Sequence, residues 1–175
     1  MIAIGMIVVG IAISGLGIAI EGNRIDASYR TTLLELRRAR QGAIDGRRVH
    51  VITFTEPRTI KIERIEEDDT LTEISQVNLA NGVEFRVEEG VPTESADTPD
   101  RFGTAEIAID FNGGNQIYFQ PDGSAVDEAG AINNGVIYLA RTGKLDSSRA
   151  VTLYGATGRV KGWRLREASG AWEWQ

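Results

Sequence analysis

The sequence has no cysteine and a single histidine, His50. Without cysteine, the chain has no disulfide and no thiolate for metal binding or catalysis. His50 stands between two valines in a segment with strand-like alternation, and no serine lies in a G-x-S-x-G or S-x-x-K motif. We therefore expect no enzyme activity, no cofactor and a packing role for His50.

Metal-binding patterns and excess positive charge are also missing. Two acidic groups offer the hard oxygens that calcium prefers, but neither has the spacing of a calcium loop, so we expect solvated acids and no metal site. They are Glu66, Glu67, Asp68 and Asp69 in one group, and Asp122, Asp127 and Glu128 in the other. The net charge of −6 disfavours nucleic acid as the main partner of the whole surface.

Charge is absent from the first twenty residues, which read MIAIGMIVVGIAISGLGIAI. A helix of this length spans roughly 30 Å, about the thickness of a bilayer's hydrocarbon core. A cleaved signal peptide is not expected, because such a signal has positive residues ahead of its apolar core and none precede the run here. Two interpretations stay open: a membrane anchor, and a helix that leaves the membrane to form the core of a filament.

The next segment predicts that the same helix continues to about residue 45. Apolar or aliphatic residues recur three and four positions apart, with arginines and acids between them, which is typical of an amphipathic helix. They are Ile25, Tyr29, Leu33, Leu36, Ala39, Ala43 and Ile44. Gly46 is expected to adopt the left-handed conformation that ends many helices.

From Arg47 onwards, the apolar period changes to two, which predicts short strands joined by turns. Candidate strands lie at 49–54, 60–65, 71–79, 83–87, 107–111, 117–119, 136–139, 151–154, 160–165 and 171–174. Asn81-Gly82 predicts a two-residue hairpin, and the polar residues 88–103 predict a long exposed loop. We predict an α+β fold: one long N-terminal helix, apolar in its first half, packed on an antiparallel sheet.

Four short motifs follow one another along the chain. Residues 1–9 read MIAIGMIVV, residues 36–49 read LRRARQGAIDGRRV, residues 119–124 read FQPDGS, and residues 157–160 read TGRV. The first resembles the F-T-L-I-E-L-L-V-V start of mature type IV pilins and type II secretion pseudopilins. The others are similar to the L-x-x-A-R-x-x-A-I-x-x-x-x-V, F-x-P-D-G-S and G-R-V segments of the GspH/FimT group within that superfamily.

The resemblance implies a pilin fold and a structural role in a type IV pilus-like or type II secretion pseudopilus-like filament. It also implies a leader removed by a prepilin peptidase, a methylated N-terminus and an assembly platform in the inner membrane. The expected partners are membrane lipid before assembly, and then copies of the chain or other pilins in a periplasmic or extracellular filament. Residues 1–23 would form the membrane or filament-core part, and residues 24–175 the globular part.

The residues expected to contact lipid or the filament core are Met1, Ile4, Gly5, Met6, Val8, Val9, Ile11, Ser14, Leu16, Ile18 and Ile20. Glycine lowers helix stability by roughly 1 kcal/mol relative to alanine, so part of this helix is expected to melt in the assembled state. The candidates are Gly10, Gly15, Gly17 and Gly22. Close helix packing is an equally good interpretation of these glycines.

Gly5 departs from the family pattern, which has a glutamate here that pairs with a neighbour's N-terminal amine. Its absence suits a minor subunit at the filament tip that primes assembly. We nevertheless favour a repeating subunit, whose amine would meet backbone carbonyls or a neighbour's Ser14.

The C-terminal segment offers an alternative function. Three tryptophans, Trp163, Trp172 and Trp174, lie close in sequence to four cations, a combination that can hold phosphates and stack on bases. The candidate DNA contacts are Arg159, Lys161, Arg164 and Arg166. Some FimT-like pilins are thought to bind DNA during uptake, but the acidic chain and the strand period, which would put Trp163 and Leu165 on one face, disfavour it here.

Overall fold

The computed structural model describes the backbone of residues 2–92, 94, 96–104, 106–112 and 114–175, and the side chains within these ranges from residue 22 onward. One helix, α1 (Ile2–Gly46), is followed by short strands and one 3-10 turn, Pro99–Arg101. The strands are β1 (His50–Thr55), β2 (Thr59–Ile65), β3 (Leu71–Asn78), β4 (Glu84–Phe85), β5 (Ile109–Asp110), β6 (Gln116–Phe119), β7 (Ala125–Val126), β8 (Gly135–Arg141), β9 (Lys144–Tyr154), β10 (Arg159–Ala168) and β11 (Ala171–Trp174).

The C-terminal half of α1 buries one stripe against the sheets. Ile25, Leu36, Ala39 and Ala43 are buried, as the helical spacing predicts. Two polar residues missed by the sequence analysis, Ser28 and Thr32, complete the stripe: the Thr32 hydroxyl donates to the Ser28 carbonyl, and the Ser28 hydroxyl accepts from the Ala80 amide. Both hydroxyls are therefore satisfied in the core.

The helix ends one residue later than the glycine suggests. Arg47, with φ of 50°, takes the left-handed position expected of Gly46, and the Arg48 amide donates to the Ala43 carbonyl at 3.3 Å. This bond spans five residues, as in a Schellman motif, where the left-handed residue is the first one beyond the cap. The prediction for Gly46 is wrong.

The strands form two antiparallel sheets. The first sheet has the order β3-β2-β1-β6-β7, and the second has the order β11-β10-β9-β8-β4, with β5 also paired to β8. Apolar side chains from α1 and from both sheets form one core. Within it, the Phe54 ring of the first sheet packs edge-on against Phe85 of the second and stacks on Phe111. The predicted α+β fold, with a long helix packed on antiparallel strands, is confirmed.

Two local predictions are wrong. Asn81-Gly82 does form a tight turn, with the Val83 amide donating to the Ala80 carbonyl, but β3 and β4 belong to different sheets and make no hairpin. Residues 88–103 are not simply exposed, because Val91, Thr98 and Pro99 are buried. Val91 and Phe102 pack against apolar side chains on the outer face of the second sheet, the face away from α1.

Candidate functional site

The helix is attached to the second sheet by a cluster of charges, the helix junction, formed by Asp26, Tyr29, Arg149 and Arg164. Asp26 Oδ1 accepts two hydrogen bonds from the Arg149 guanidinium, at 3.2 and 3.3 Å, and lies 3.4 Å from that of Arg164. The Arg164 guanidinium carbon lies 5.7 Å from the centre of the Tyr29 ring. One carboxylate on α1 therefore connects the helix to both β9 and β10.

Burial dominates the electrostatics of this junction. It lowers the pKa of the Arg149 guanidinium, which is only 12% exposed, and Asp26 opposes this shift by stabilising the cation. Burial also raises the pKa of the Tyr29 hydroxyl, while the nearby Arg164 and Arg149 cations oppose that change. The junction thus places one carboxylate between two guanidinium groups and beside a phenol, an arrangement that fixes the helix on the second sheet.

Each sheet approaches the helix at a glycine. In the second sheet, a Cβ added to Gly162 would lie 1.9 Å from the Tyr29 hydroxyl oxygen. On the helix, a Cβ added to Gly42 would lie 2.8 Å from Nε2 of His50, which belongs to the first sheet. His50 is 6% exposed, and its Nδ1 lies 3.1 Å from the Arg48 carbonyl oxygen. These contacts support a packing role for the histidine.

The four cations proposed for DNA do not share one face of the sheet. Successive side chains of a strand point to opposite faces. In β10, Arg159 and Lys161 therefore lie on the outer face, and Arg164 and Arg166 lie on the helix side. Lys161 lies 3.8 Å from Asp100, and Arg164 is held by Asp26. The structure therefore divides this set and pairs two of its members with carboxylates.

The tryptophans, in contrast, come together on the outer face of the second sheet. Trp163 and Leu165 share this face, as predicted, but it is covered by residues 88–103 and not by α1. The Trp163 indole donates to the Thr152 hydroxyl at 3.0 Å, and that hydroxyl donates to Asp100. The Lys161 ammonium lies 3.4 Å from the centre of the Trp163 ring.

All three tryptophans line one open groove of about 440 Å³. Its walls are Pro92, Ala96, Asp97, Thr98 and Pro99 on the loop side, and Trp163, Ala171, Trp172, Glu173 and Trp174 on the strand side. Sequence analysis singled out the tryptophans but linked them to the neighbouring cations, none of which lines the groove.

The acidic groups have local partners. Glu66 contacts Arg64, and Glu67 contacts Arg48, each at 2.5 Å. The Ser124 hydroxyl and amide both donate to Asp122, which lowers the pKa of that carboxyl. Among the residues that the structure describes, no group of three or more histidines or acids could hold a metal ion.

Most of the proposed filament-core residues lie outside the described side chains. These are Met1, Ile4, Gly5, Met6, Val8, Val9, Ile11, Ser14, Leu16, Ile18 and Ile20, together with the glycines Gly10, Gly15 and Gly17. Gly22 is described: it is exposed, and nothing lies within 4 Å of the position of an added Cβ. Where the structure describes side chains, no helix is long and apolar enough to cross a membrane.

Comparison with solved structures finds the same fold in three similar chains. Two are structures of EpsH, the minor pseudopilin of the type 2 secretion system of Vibrio cholerae: one has a TM-score of 0.56 and 11% identity over 84% of this chain and 98% of EpsH. The other has a TM-score of 0.53 and 13% identity over 81% and 97%. The third is the type IV minor pilin FimU of Pseudomonas aeruginosa, with a TM-score of 0.54 and 14% identity over 87% and 94%.

Sequence comparison adds nothing to this fold assignment, because neither a family model nor a curated protein matches the chain. The similarity lies in the arrangement of one long helix and its sheets over nearly the whole length of the compared chains.

Proposed function

We propose that this protein is a subunit of a type IV pilus-like or type II secretion pseudopilus-like filament. The observation that carries the proposal is the division of α1. From Ile25 onwards, the helix buries its stripe in the protein's own core, whereas residues 2–20 have no charged side chain and lie on the same 45-residue helix. An apolar helical segment of this kind needs lipid or other helices around it.

The proposed route begins in the inner membrane. Residues 1–23 would hold the processed chain in lipid, with residues 24–175 outside the cytoplasm, until the assembly platform extracts it. The apolar segment would then exchange lipid for the helices of neighbouring subunits, in a filament of one or several pilins. Each methylene group kept from water contributes about 0.8 kcal/mol. Packing the roughly twenty apolar residues of each subunit against neighbouring helices therefore stabilises the polymer outside the membrane.

A tip or priming subunit is the second candidate position. Gly5 favours it, since this chain has no carboxylate there to meet a neighbour's amine. The compared proteins EpsH and FimU are both described as minor components. DNA binding during uptake stays a weaker alternative, because the four candidate cations are divided between two faces of β10.

Deletion of residues 1–23 tests the proposal. We expect the remaining domain to be folded and monomeric, and to form no filaments in electron micrographs, because the polymer contacts are removed. Leu16→Asp should also prevent assembly, since a charge in an apolar helix bundle is costly. Ile74→Asp, on a side chain 36% exposed in β3, is the matched control and should leave assembly intact.

Filaments formed by the deletion variant would contradict the proposal. Antibody labelling of filaments that contain the full chain distinguishes the two positions: label along the whole length identifies a repeating subunit, and label at one end identifies a tip subunit.

A further inference from the structure

The groove beside the tryptophans lies next to β11, the end strand of the second sheet. Four consecutive residues, Ala171–Trp174, line it. Successive side chains of a strand point to opposite faces, so a groove that touches all four is not confined to the side chains of one face. Within the described residues, β11 pairs only with β10, and the groove's other wall is Pro92 and residues 96–99.

The hydrogen-bond pattern shows which main-chain groups face this groove. Arg164 and Gln175 exchange two hydrogen bonds, of 2.8 and 2.9 Å, which makes them a hydrogen-bonded antiparallel pair. Because such pairs alternate, Arg166 and Glu173 form the next one, and Trp174 and Trp172 lie between. The amides and carbonyls of Trp172 and Trp174 therefore point away from β10, at the edge of the sheet with which no described strand pairs.

The side chains add an apolar floor and negative charge. Trp172 and Trp174 are half-buried, so their rings keep surface for contact. Asp97 and Glu173 both line the groove, and none of its ten lining residues is a lysine, arginine or histidine. Indole rings and carboxylates together favour a cation with an aliphatic stem. The same carboxylates disfavour a phosphate backbone.

We propose that the edge of β11 binds an extended, lysine- or arginine-bearing segment of a partner protein, which adds a strand to the second sheet. Its main chain would bond to the outward amides and carbonyls of Trp172 and Trp174, in the mode known as β-augmentation. Its basic side chains on the outer face would lie over the indoles near Asp97, and those on the helix side would lie beside Glu173. This inference does not depend on polymerisation, since it uses only the described C-terminal strands.

The test uses the full chain in detergent micelles and fluorescent peptides as probes. One peptide alternates valine with lysine, a second has glutamate for lysine, and a third is the lysine peptide with N-methylated main-chain amides. By fluorescence anisotropy we expect the lysine peptide to bind at least about tenfold more tightly than either other peptide, because they lack the charge or the donors.

Variants of the chain separate main-chain from side-chain contributions. Trp172→Ala and Trp172→Pro both remove the indole, but only proline also removes the outward amide, and neither removes a bond to β10. We expect the proline variant to bind the lysine peptide at least about fivefold more weakly than the alanine variant. The double variant Asp97→Asn, Glu173→Gln should also bind the lysine peptide at least about fivefold more weakly than the unchanged chain. Glu167→Gln, which lies outside the groove lining, should bind it as the unchanged chain does.

Several results would overturn the proposal. Equal binding of the lysine and glutamate peptides would remove the role of charge, and equal binding of the two Trp172 variants would remove the added strand. Tighter binding of single-stranded DNA than of the lysine peptide would identify a nucleic-acid surface instead. Dimerisation of the chain that blocks the lysine peptide would identify a second copy as the occupant.

Discussion

The two sheets differ in how many of their faces are covered. In the second sheet, every residue of β8 except its last is buried, because α1 packs on one face and residues 88–103 on the other. In the first sheet, β2 alternates between buried and partly buried positions, and β3 is exposed or partly exposed throughout. The second sheet is thus the middle of three layers, and the first is the outer of two.

The sequences of the strands already contain this difference. β8 reads GVIYLAR, a nearly continuous apolar run, as is typical of a strand buried on both faces. β2 reads TIKIERI, in which isoleucines alternate with polar residues, as in a strand with one face in water. The run in β8 therefore requires a second covering layer. Residues 88–103 supply it, and in their described part the one regular element is the short 3-10 turn Pro99–Arg101.

The largest expected effect compares two leucines. Leu139 in β8 is fully buried, whereas Leu71 in β3 is 56% exposed. We expect Leu139→Ala to lower the free energy of unfolding by about 2–5 kcal/mol, through lost burial and a residual cavity. Leu71→Ala should change it by less than about 0.5 kcal/mol. Urea denaturation of both variants measures the difference, and equal losses would refute the layered comparison.

A second comparison uses the two glycines at which the sheets meet the helix. Gly162→Ala should cost about 1–3 kcal/mol, since the added carbon would lie 1.9 Å from the Tyr29 hydroxyl oxygen and the ring must shift. Gly42→Ala has a longer closest contact, 2.8 Å to Nε2 of His50, and gains roughly 1 kcal/mol of helix propensity, so we expect a smaller cost.

Thermal unfolding of the two glycine variants provides the measurement, and Tyr29→Ala should relieve part of the Gly162→Ala cost in the double variant. A loss of stability in Gly42→Ala as large as that in Gly162→Ala would mean that the first sheet packs on the helix as rigidly as the second.

The smallest expected effect concerns two tyrosines. Burial raises the pKa of Tyr138 in β8, whose hydroxyl has no hydrogen-bond partner among the described residues, and nearby Asp110 adds to the shift. Burial and Glu128 also raise the pKa of Tyr118 in β6, which is only partly buried. A raised folded-state pKa means that the unfolded chain loses the proton first, so stability is complete below about pH 10 and falls above it.

At about pH 10.5, ionisation of Tyr138 in the unfolded chain should lower the free energy of unfolding by less than about 1 kcal/mol. Urea denaturation at neutral and alkaline pH, repeated with Tyr138→Phe and Tyr118→Phe, checks this loss. We expect Tyr138→Phe to reduce the alkaline loss more than Tyr118→Phe does. The reverse order would show that the layer covering Tyr138 opens, and lets its hydroxyl ionise, before the domain unfolds.

Much of the fold follows from periodicity, because helical and strand spacings act over short distances. The stripe from Ile25 to Ala43 and most strands were predicted in this way. The pairing of the strands was not predicted. Asn81-Gly82 specifies a turn, but β4 joins the second sheet because it pairs with β8, which lies far along the chain. The first residues of β9, which read KLDSSR, lack alternation and form a strand because β8 pairs with them.

The candidate site was harder to predict for the same reason. Alternation placed Trp163 and Leu165 on one face, but it could not show that this face is the outer one, covered by residues 88–103. Nor could sequence spacing show that Asp26 on α1 would hold Arg164, which removes this arginine from the group of free cations. Tryptophan frequency near the C-terminus was the one local signal of the groove.

The order in which the chain visits the two sheets has a consequence for folding. It completes β1 to β3 in the first sheet, lays β4 and β5 beside β8 in the second, and then returns to add β6 next to β1. No single cut in the chain separates one sheet from the other. Neither sheet is a continuous segment of the chain: β1 pairs locally with β2, but its other neighbour, β6, is more than sixty residues away. Such non-local pairing makes folding slow and cooperative over the whole domain.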